Sequence, residues 1–545
     1  MTSTAAPATR ATLAWMAIAM AIAVSATSLH NGFAYDDLPV VVENARVTTL
    51  LRPWEYFTQS YWPAGGLYRP LTVWLLALQW KLGGGEPWIF HATNVALHTL
   101  VTGLVYLLAR RMLAPAWAGL AALLFAVHPV HVEAVANVVG LSELLCAAFV
   151  LAAVLAGMRG VNGQFTPARR LGVISLGMLA AISKEQGFVT PALLLAAAGI
   201  ACLPRGLPSL RRAAPVAGVL ALLLTALFVF RASVLSGLAG DEPAAPLRAL
   251  TPSARMLVSL GTVPDWARLL LWPARLSFDY SPPGYPVRAA PGAVHLLAVL
   301  LLGIGGGLAW LGRAKAPAVT LGIVWAAIAL LPVSNLVLPT GVLLAERTLY
   351  LASIGAVLAA AGVAARVSEW RAWRLATPAA AAVGATLVLL AAARSATRAA
   401  VWRDNESLLR QVEREAPDNY RAHRTLALHL DRQGRLDDAA REYRRSIALW
   451  GRDPKVYEDL AILLDRQGRD GEAVAVLSEG LGVAPSAPAM RSKLYYLEAA
   501  RGDWPAARAT AQAGLALGDT MFAALVRRAD SALKAPPVSS TSAGQ

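Results

Sequence analysis

Two adjacent carboxylates, Asp36 and Asp37, stand in the stretch GFAYDDLPVVVENARV, directly after an apolar run of helix length. Carboxylates at such a border suit proton transfer, and ionisable groups near a bilayer are expensive enough to suggest a site. Asn44 follows in the same loop, and Tyr68 and Arg69 of YRPL lie further along it. His128, His131 and Glu133 come from HPVHVE, Glu143 from GLSELL, Lys184 and Glu185 from SKEQG, and Asn335, Glu346 and Arg347 from the stretch SNLVLPTGVLLAER. Carboxylates, imidazoles and cations from distant parts of the chain thus collect in loops between apolar runs. The mixture suits an enzyme acting on a charged, membrane-anchored substrate.

Each motif also has a plainer reading. Asp36 and Asp37 could be solvated loop residues. The pairs Lys184–Glu185 and Glu346–Arg347 could neutralise themselves. His128 and His131 flank a proline with no cysteine nearby, which is weak evidence for zinc, and no metal is expected. What the plainer readings leave unexplained is that all these residues fall on one side of the topology.

That topology comes from hydropathy. Of 545 residues 56% are hydrophobic and 15% charged, too apolar for one soluble globule. Runs near the length needed to cross a bilayer recur at about 11–29, 88–109, 115–135, 142–158, 171–184, 189–204, 213–231, 291–312, 317–337, 348–365 and 376–394. The net charge of +15 sits largely in short arginine clusters between these runs, where it reads as topology and gives no reason to expect nucleic acid. Those clusters (Arg110/Arg111, Arg159 with Arg169/Arg170, Arg205 with Arg211/Arg212, Arg313 with Lys315, Arg366 onward) alternate with cation-poor connections. The expectation is about eleven spans, with the N-terminus cytoplasmic and the polar motifs and C-terminal region outside. Residues 257–271 read as an amphipathic helix at the outer surface.

After Arg394 the hydropathy collapses and a 34-residue period begins. DRQGR occurs at 431–435 and again at 465–469. Gly434, Gly468 and Gly502 hold the spacing, as do Ala439, Ala473 and Ala507, and Leu426, Leu460 and Leu494. A turn glycine and a small alanine at this period make the tetratricopeptide pattern, in which helix pairs stack into a solenoid. The expected domains are a membrane part over 1–394, about three repeats over 395–534, and a disordered tail over 535–545.

In order, FAYDD…VVEN, YRPLT, FHATNVALH, AALLFAVHPVHVEAVANVVGLSELL, SKEQG, WPARLSFDYS and LPVSNLVLPTGVLLAERTLYLASIG resemble the transmembrane and tetratricopeptide repeat-containing O-mannosyltransferases. The resemblance covers nearly the whole chain. It implies an all-α, polytopic helical bundle of the glycosyltransferase class called GT-C, followed by a tetratricopeptide α-solenoid. It also implies transfer of a mannose-like hexose from a polyprenyl-phosphate carrier to a hydroxyl of an extracytoplasmic protein or glycan, at the inner (plasma) membrane. The carrier-linked sugar is then a substrate, and no tightly bound cofactor is expected.

Carried over, the acidic motif falls on Asp36 and Asp37 as catalytic base and helper, with a weak lean to Asp37. Arg69, Lys184 and Arg347 would meet the donor phosphate. Asn44, Tyr68, His128, His131, Glu133, Glu143, Glu185, Asn335 and Glu346 would line the sugar or order the loops, and the repeats would recruit the acceptor. Two other classes compete: a non-catalytic scaffold using its repeats to assemble partners, and a transporter. A scaffold gives no reason for one-sided carboxylates and cations, and a transporter calls for inverted repeats or mid-span charges, which the sequence lacks.

Overall fold

The computed structural model describes residues 7–63, 65–201, 206–235, 237, 243–248, 250–337, 339–369 and 371–534. The expected tail over 535–545 lies outside them. Among the described residues the regular elements are all helical, with one isolated bridge and no strand. Two compact units emerge: residues 1–280 with 287–415, and residues 281–286 with 416–545.

Among the described residues of the first unit, six helices are long and apolar enough to cross a membrane: Thr12–His30, Pro87–Ala109, Val138–Val161, Pro208–Val234, Ala293–Gly312 and Glu346–Val367. A seventh candidate is the pair Pro115–Ala126 and Pro129–Ala136, bent by 48°. These make the chain a multi-pass membrane protein. The expected span over 376–394 lies within the continuous helix Arg371–Ala399, whereas those at 171–184, 189–204 and 317–337 fall on shorter helices. Prolines open short apolar helices at Pro317 and within Glu185–Ile200, and Pro167–Ser183 carries Arg169 and Arg170 in its first turn. Proline lacks the amide that would continue a helix through it, so an apolar run longer than its helix results.

Two close backbone approaches fix where the polar loops sit. Helices Pro317–Leu330 and Tyr350–Val367 touch at Gly322 and Gly355, where a Cβ on Gly322 would lie 2.5 Å from the Gly355 carbonyl oxygen. Small residues let helices pack at backbone distance without a hydrophobic driving force. This contact seats the helix that carries Glu346 and Arg347 at its start. Gly140 plays the same part between Val132–Ala136 and Leu141–Asn162, because a Cβ there would strike the Ala134 backbone. It places Glu133 and Glu143 on either side of one tight turn. Around them Phe125, Leu144, Trp325 and Tyr350 form a buried core.

The second unit is built of helical hairpins: Tyr420–Arg432 with Leu436–Trp450, Pro454–Arg466 with Asp470–Val483, and Pro488–Ala500 with Trp504–Ala516, closed by Phe522–Lys534. Gly434, Gly468 and Gly502 end the first helix of each hairpin with φ of 76°, 71° and 77°, a left-handed turn that favours glycine. Ala439, Ala473 and Ala507 are fully buried where the paired helices meet.

Candidate functional site

The first loop is held from several sides within its own unit. The Gly32 amide donates to the Arg403 carbonyl at 2.7 Å, and the Tyr35 amide donates to Asn405 Oδ1 at 2.6 Å. Tyr35 adopts φ of 52°, unusual for a residue with a bulky side chain. The two carboxylates that follow have different surroundings. Asp37 is 1% exposed and accepts backbone amides from Ala34 at 3.1 Å, Val139 at 2.9 Å and Val138 at 3.4 Å. Burial pushes its pKa up to about 7, against the lowering effect of those three amides. Asp36 instead reaches Arg347, with Oδ2 2.9 Å from a terminal guanidinium nitrogen.

From Arg347 a network of charges extends. The same nitrogen lies 3.3 Å from Glu133 Oε1, and the Arg347 main-chain amide donates to Glu133 Oε2 at 2.9 Å. Its Nε is 3.9 Å from Glu143, which forms an ion pair with Lys184 and accepts a hydrogen bond from Ser142 Oγ at 2.6 Å. Arg69 donates two bonds to Glu185 Oε2, at 3.0 and 2.8 Å, and a weaker one to Ser142 at 3.4 Å. Burial opposes the charge on Arg69, yet Glu185, Tyr61 and Glu143 hold its pKa above the ordinary value. Four carboxylates (Asp36, Glu133, Glu143, Glu185) therefore face three cations (Arg69, Lys184, Arg347), leaving one negative charge in excess when all are ionised. The sequence neighbours Lys184 and Glu185 do not neutralise each other; each pairs across the fold.

Other candidates sit outside this network. Glu346 turns away from Arg347 and accepts from the Ser277 amide at 2.6 Å and the Tyr280 hydroxyl at 2.9 Å. Asn335, with φ of 60°, shapes its own turn through Val342 and Thr340. Asn44 caps the short helix Ala45–Thr48, and Tyr68 donates to the Phe57 carbonyl at 3.0 Å.

The histidines form a separate, neutral set. His98 Nε2 faces the Ala126 carbonyl at 3.2 Å, so it carries the proton and Nδ1 accepts from Tyr350 at 2.8 Å. By the same logic His128 donates from Nε2 to the Leu270 carbonyl and accepts the Val130 amide at Nδ1. Ser353 directs its proton to the Tyr350 carbonyl, so His131 Nε2 donates to Ser353 Oγ at 2.7 Å. Five of these six ring nitrogens have protein partners; only His131 Nδ1 lacks one. Among the described residues no group of three or more His, Cys, Asp or Glu side chains is arranged to hold a metal ion.

Sequence reasoning missed Tyr61, whose buried ring lies under the Arg69 guanidinium at 4.9 Å, and Ser142, which bridges Arg69 and Glu143. Neither sits in a spacing pattern that would have marked it; Ser142 stood next to a residue already chosen.

The arrangement can hold an anion among cations beside a carboxylate, and known proteins with similar sequences bear on its use. No family model matches the chain. The resemblance read from motif order holds over most of its length. The chain is 30% identical to the protein O-mannosyl-transferase TMTC4 of Homo sapiens over 78% of this chain and 64% of that protein. It is 27% identical to the protein O-mannosyl-transferase F38B6.6 of Caenorhabditis elegans, over 79% and 62%. The chain thus spans a little under two thirds of the length of these curated relatives. Among solved structures, the Archaeoglobus fulgidus oligosaccharyltransferase tethered with an acceptor peptide aligns with a TM-score of 0.40 at 13% identity, over 72% of this chain and 56% of that one.

Proposed function

We propose that this chain, a relative of the protein O-mannosyl-transferases, is an integral membrane glycosyltransferase of the GT-C class. It moves a mannose-like hexose from a polyprenyl-phosphate carrier to a hydroxyl of an extracytoplasmic protein or glycan. The observation that carries the reading is the Asp36–Arg347 pair inside a network of three cations. An acceptor hydroxyl is a poor nucleophile until a positioned base takes its proton. Asp36 is that base: both oxygens of Asp37 are held by main-chain amides, which makes Asp37 the anchor of the loop. As the acceptor oxygen bonds to the anomeric carbon, the bond from that carbon to the phosphate oxygen breaks and its electron pair leaves with the phosphate. The leaving phosphate gains charge, so Arg69, Lys184 and Arg347 stabilise the transition state more than the ground state.

In this reading the N-terminus is cytoplasmic, the network faces the outer side of the plasma membrane, and the hairpins over 420–516 are tetratricopeptide repeats that recruit the acceptor. Recruitment on the same chain raises the effective concentration of acceptor at the site. Intact-mass glycoproteomics of extracytoplasmic proteins from cells with and without this gene tests the whole proposal. A hexose missing from a defined set of proteins is expected; unchanged masses overturn it. Removing residues 418–545 is expected to impair transfer to a protein far more than transfer to a small soluble acceptor.

A further inference from the structure

Every cation offered to the donor phosphate is already engaged: Arg69 by Glu185, Lys184 by Glu143, and Arg347 by Asp36 and Glu133. A phosphate can enter only if a cation changes partner, and the three are not equally free to do so. Lys184 and Glu143 are both almost fully buried, and a charge left unpaired there is costly. Arg69 is fixed by a doubled bond to Glu185 and by the ring of Tyr61. Arg347 is held differently. Glu133 grips it twice, through the main-chain amide and through the guanidinium, whereas Asp36 touches only the guanidinium tip. Arg347 is also one-fifth exposed, more than either other cation.

We infer that Arg347 is a mobile cover on the base and that Glu133 is the positioning residue on which it turns. In the structure the guanidinium occupies Asp36 Oδ2, and the carboxylate cannot take a proton from an incoming hydroxyl through that oxygen. When the phosphate of the donor arrives, the guanidinium exchanges Asp36 for phosphate oxygens while Glu133 keeps its main chain in place. Asp36 is uncovered only once donor is bound. The consequence is an order, donor before acceptor: an acceptor hydroxyl that arrives first finds that oxygen of the base covered. The inference rests on the reading of Asp36 as the base.

Carbodiimide labelling of carboxylates in the purified full chain, located by peptide mass spectrometry, reads this directly. Polyprenyl phosphate without sugar is the probe, since it supplies the phosphate but cannot react. Asp36 labelling is expected to rise about fivefold or more on adding it, a modest population shift, while Asp37 stays protected in both states. Glu133→Gln keeps an oxygen to accept the Arg347 amide but loses the charge that competes with Asp36. In that variant Asp36 should remain covered whether or not polyprenyl phosphate is present, with Glu133→Asp restoring part of the response. If Glu133 were merely structural, its loss would loosen the loop and expose Asp36 in both states. Labelling of Asp36 in the unmodified chain that ignores polyprenyl phosphate overturns the exchange. Asp36→Asn separates the two claims: normal transfer by that variant sinks the reading of Asp36 as base, whereas a dead variant with unresponsive labelling in the parent sinks only the exchange.

Discussion

Residues 128–133 join two buried polar clusters that solve the same problem in opposite ways. At one end His98, His128 and His131 are neutral, with tautomers set by carbonyls and hydroxyls, and all but one of their nitrogens bonded. At the other end Glu133 enters a network in which four carboxylates share three cations and Glu185 Oε1 has no hydrogen-bond partner. A neutral, satisfied cluster has one arrangement and holds the bend between two helices. In the charged cluster one guanidinium, that of Arg347, serves Asp36, Glu133 and Glu143, so its cations can be offered to a further anion in the proposed transfer. The difference teaches that polarity inside this unit is not a marker of chemistry by itself. Shared charge is.

The largest effect expected from this contrast is on the charged side. Asp36→Asn should lower transfer by roughly 100-fold or more, the low end for a general base, with insertion and folding retained. Initial-rate measurement against a soluble acceptor peptide checks it, and a near-normal rate would break the contrast. Next, Arg347→Lys should recover little of the activity lost in Arg347→Ala, because an ammonium cannot replace a planar guanidinium whose terminal nitrogen meets Asp36 and Glu133 while its Nε faces Glu143; full recovery by lysine would make Arg347 a plain counter-charge.

Asp37 gives a pH test. Its pKa is about 7 in the fold against an ordinary aspartate value of 3.8, so between these values the folded state binds more protons than the unfolded one. Stability from this group is therefore fully present below pH 3.8 and is lost as pH rises towards and through 7. Melting temperature of the parent, compared with Asp37→Asn across that window, should fall with rising pH while the variant shows a smaller slope. A flat difference would place Asp37 in a less buried setting.

On the histidine side the expected effect is on stability. His98→Leu leaves the buried Tyr350 hydroxyl without its acceptor and should cost about 1–3 kcal/mol, read by thermal unfolding, while the transfer rate of the folded protein changes little. A rate loss as large as that of Asp36→Asn would bring the histidines into the chemistry. The smallest effect on either cluster is expected from Ala473→Trp. It overpacks a fully buried position of the second unit and should leave transfer to a small acceptor intact while that to a protein falls.

How far the sequence reveals these features depends on their range. The hairpins over 420–516 are legible because a turn glycine and a buried alanine recur at a fixed step, and each recurrence has a local cause. Apolar runs are legible as helices, but their bends and charged ends are not: hydropathy does not register that proline divides 115–135 or that arginines open 167–183. Of the charged network, the residue types and their gathering were readable and their partners were not. Asp36 and Asp37 are identical letters, and what separates them is the backbone of Tyr35 and the amides of Val138 and Val139, a hundred residues away. Glu346 and Arg347 are neighbours that part company for the same reason. For His128 and His131 the residue type was legible and the tautomer was not, because spacing carries no information about which nitrogen holds a proton.

The contact between Gly322 and Gly355 has a mechanical meaning. A joint made of main chain on main chain has no rotamers to hop between, so it neither creeps nor slips as side chains rearrange. The helix that begins just after Arg347 is mounted on such a joint. Its root stays put like the fixed end of a cantilever, and the freedom left to the residue is the swing of its tip. Padding the joint with a single methyl, as in Gly322→Ala, would shift the mount instead of the tip.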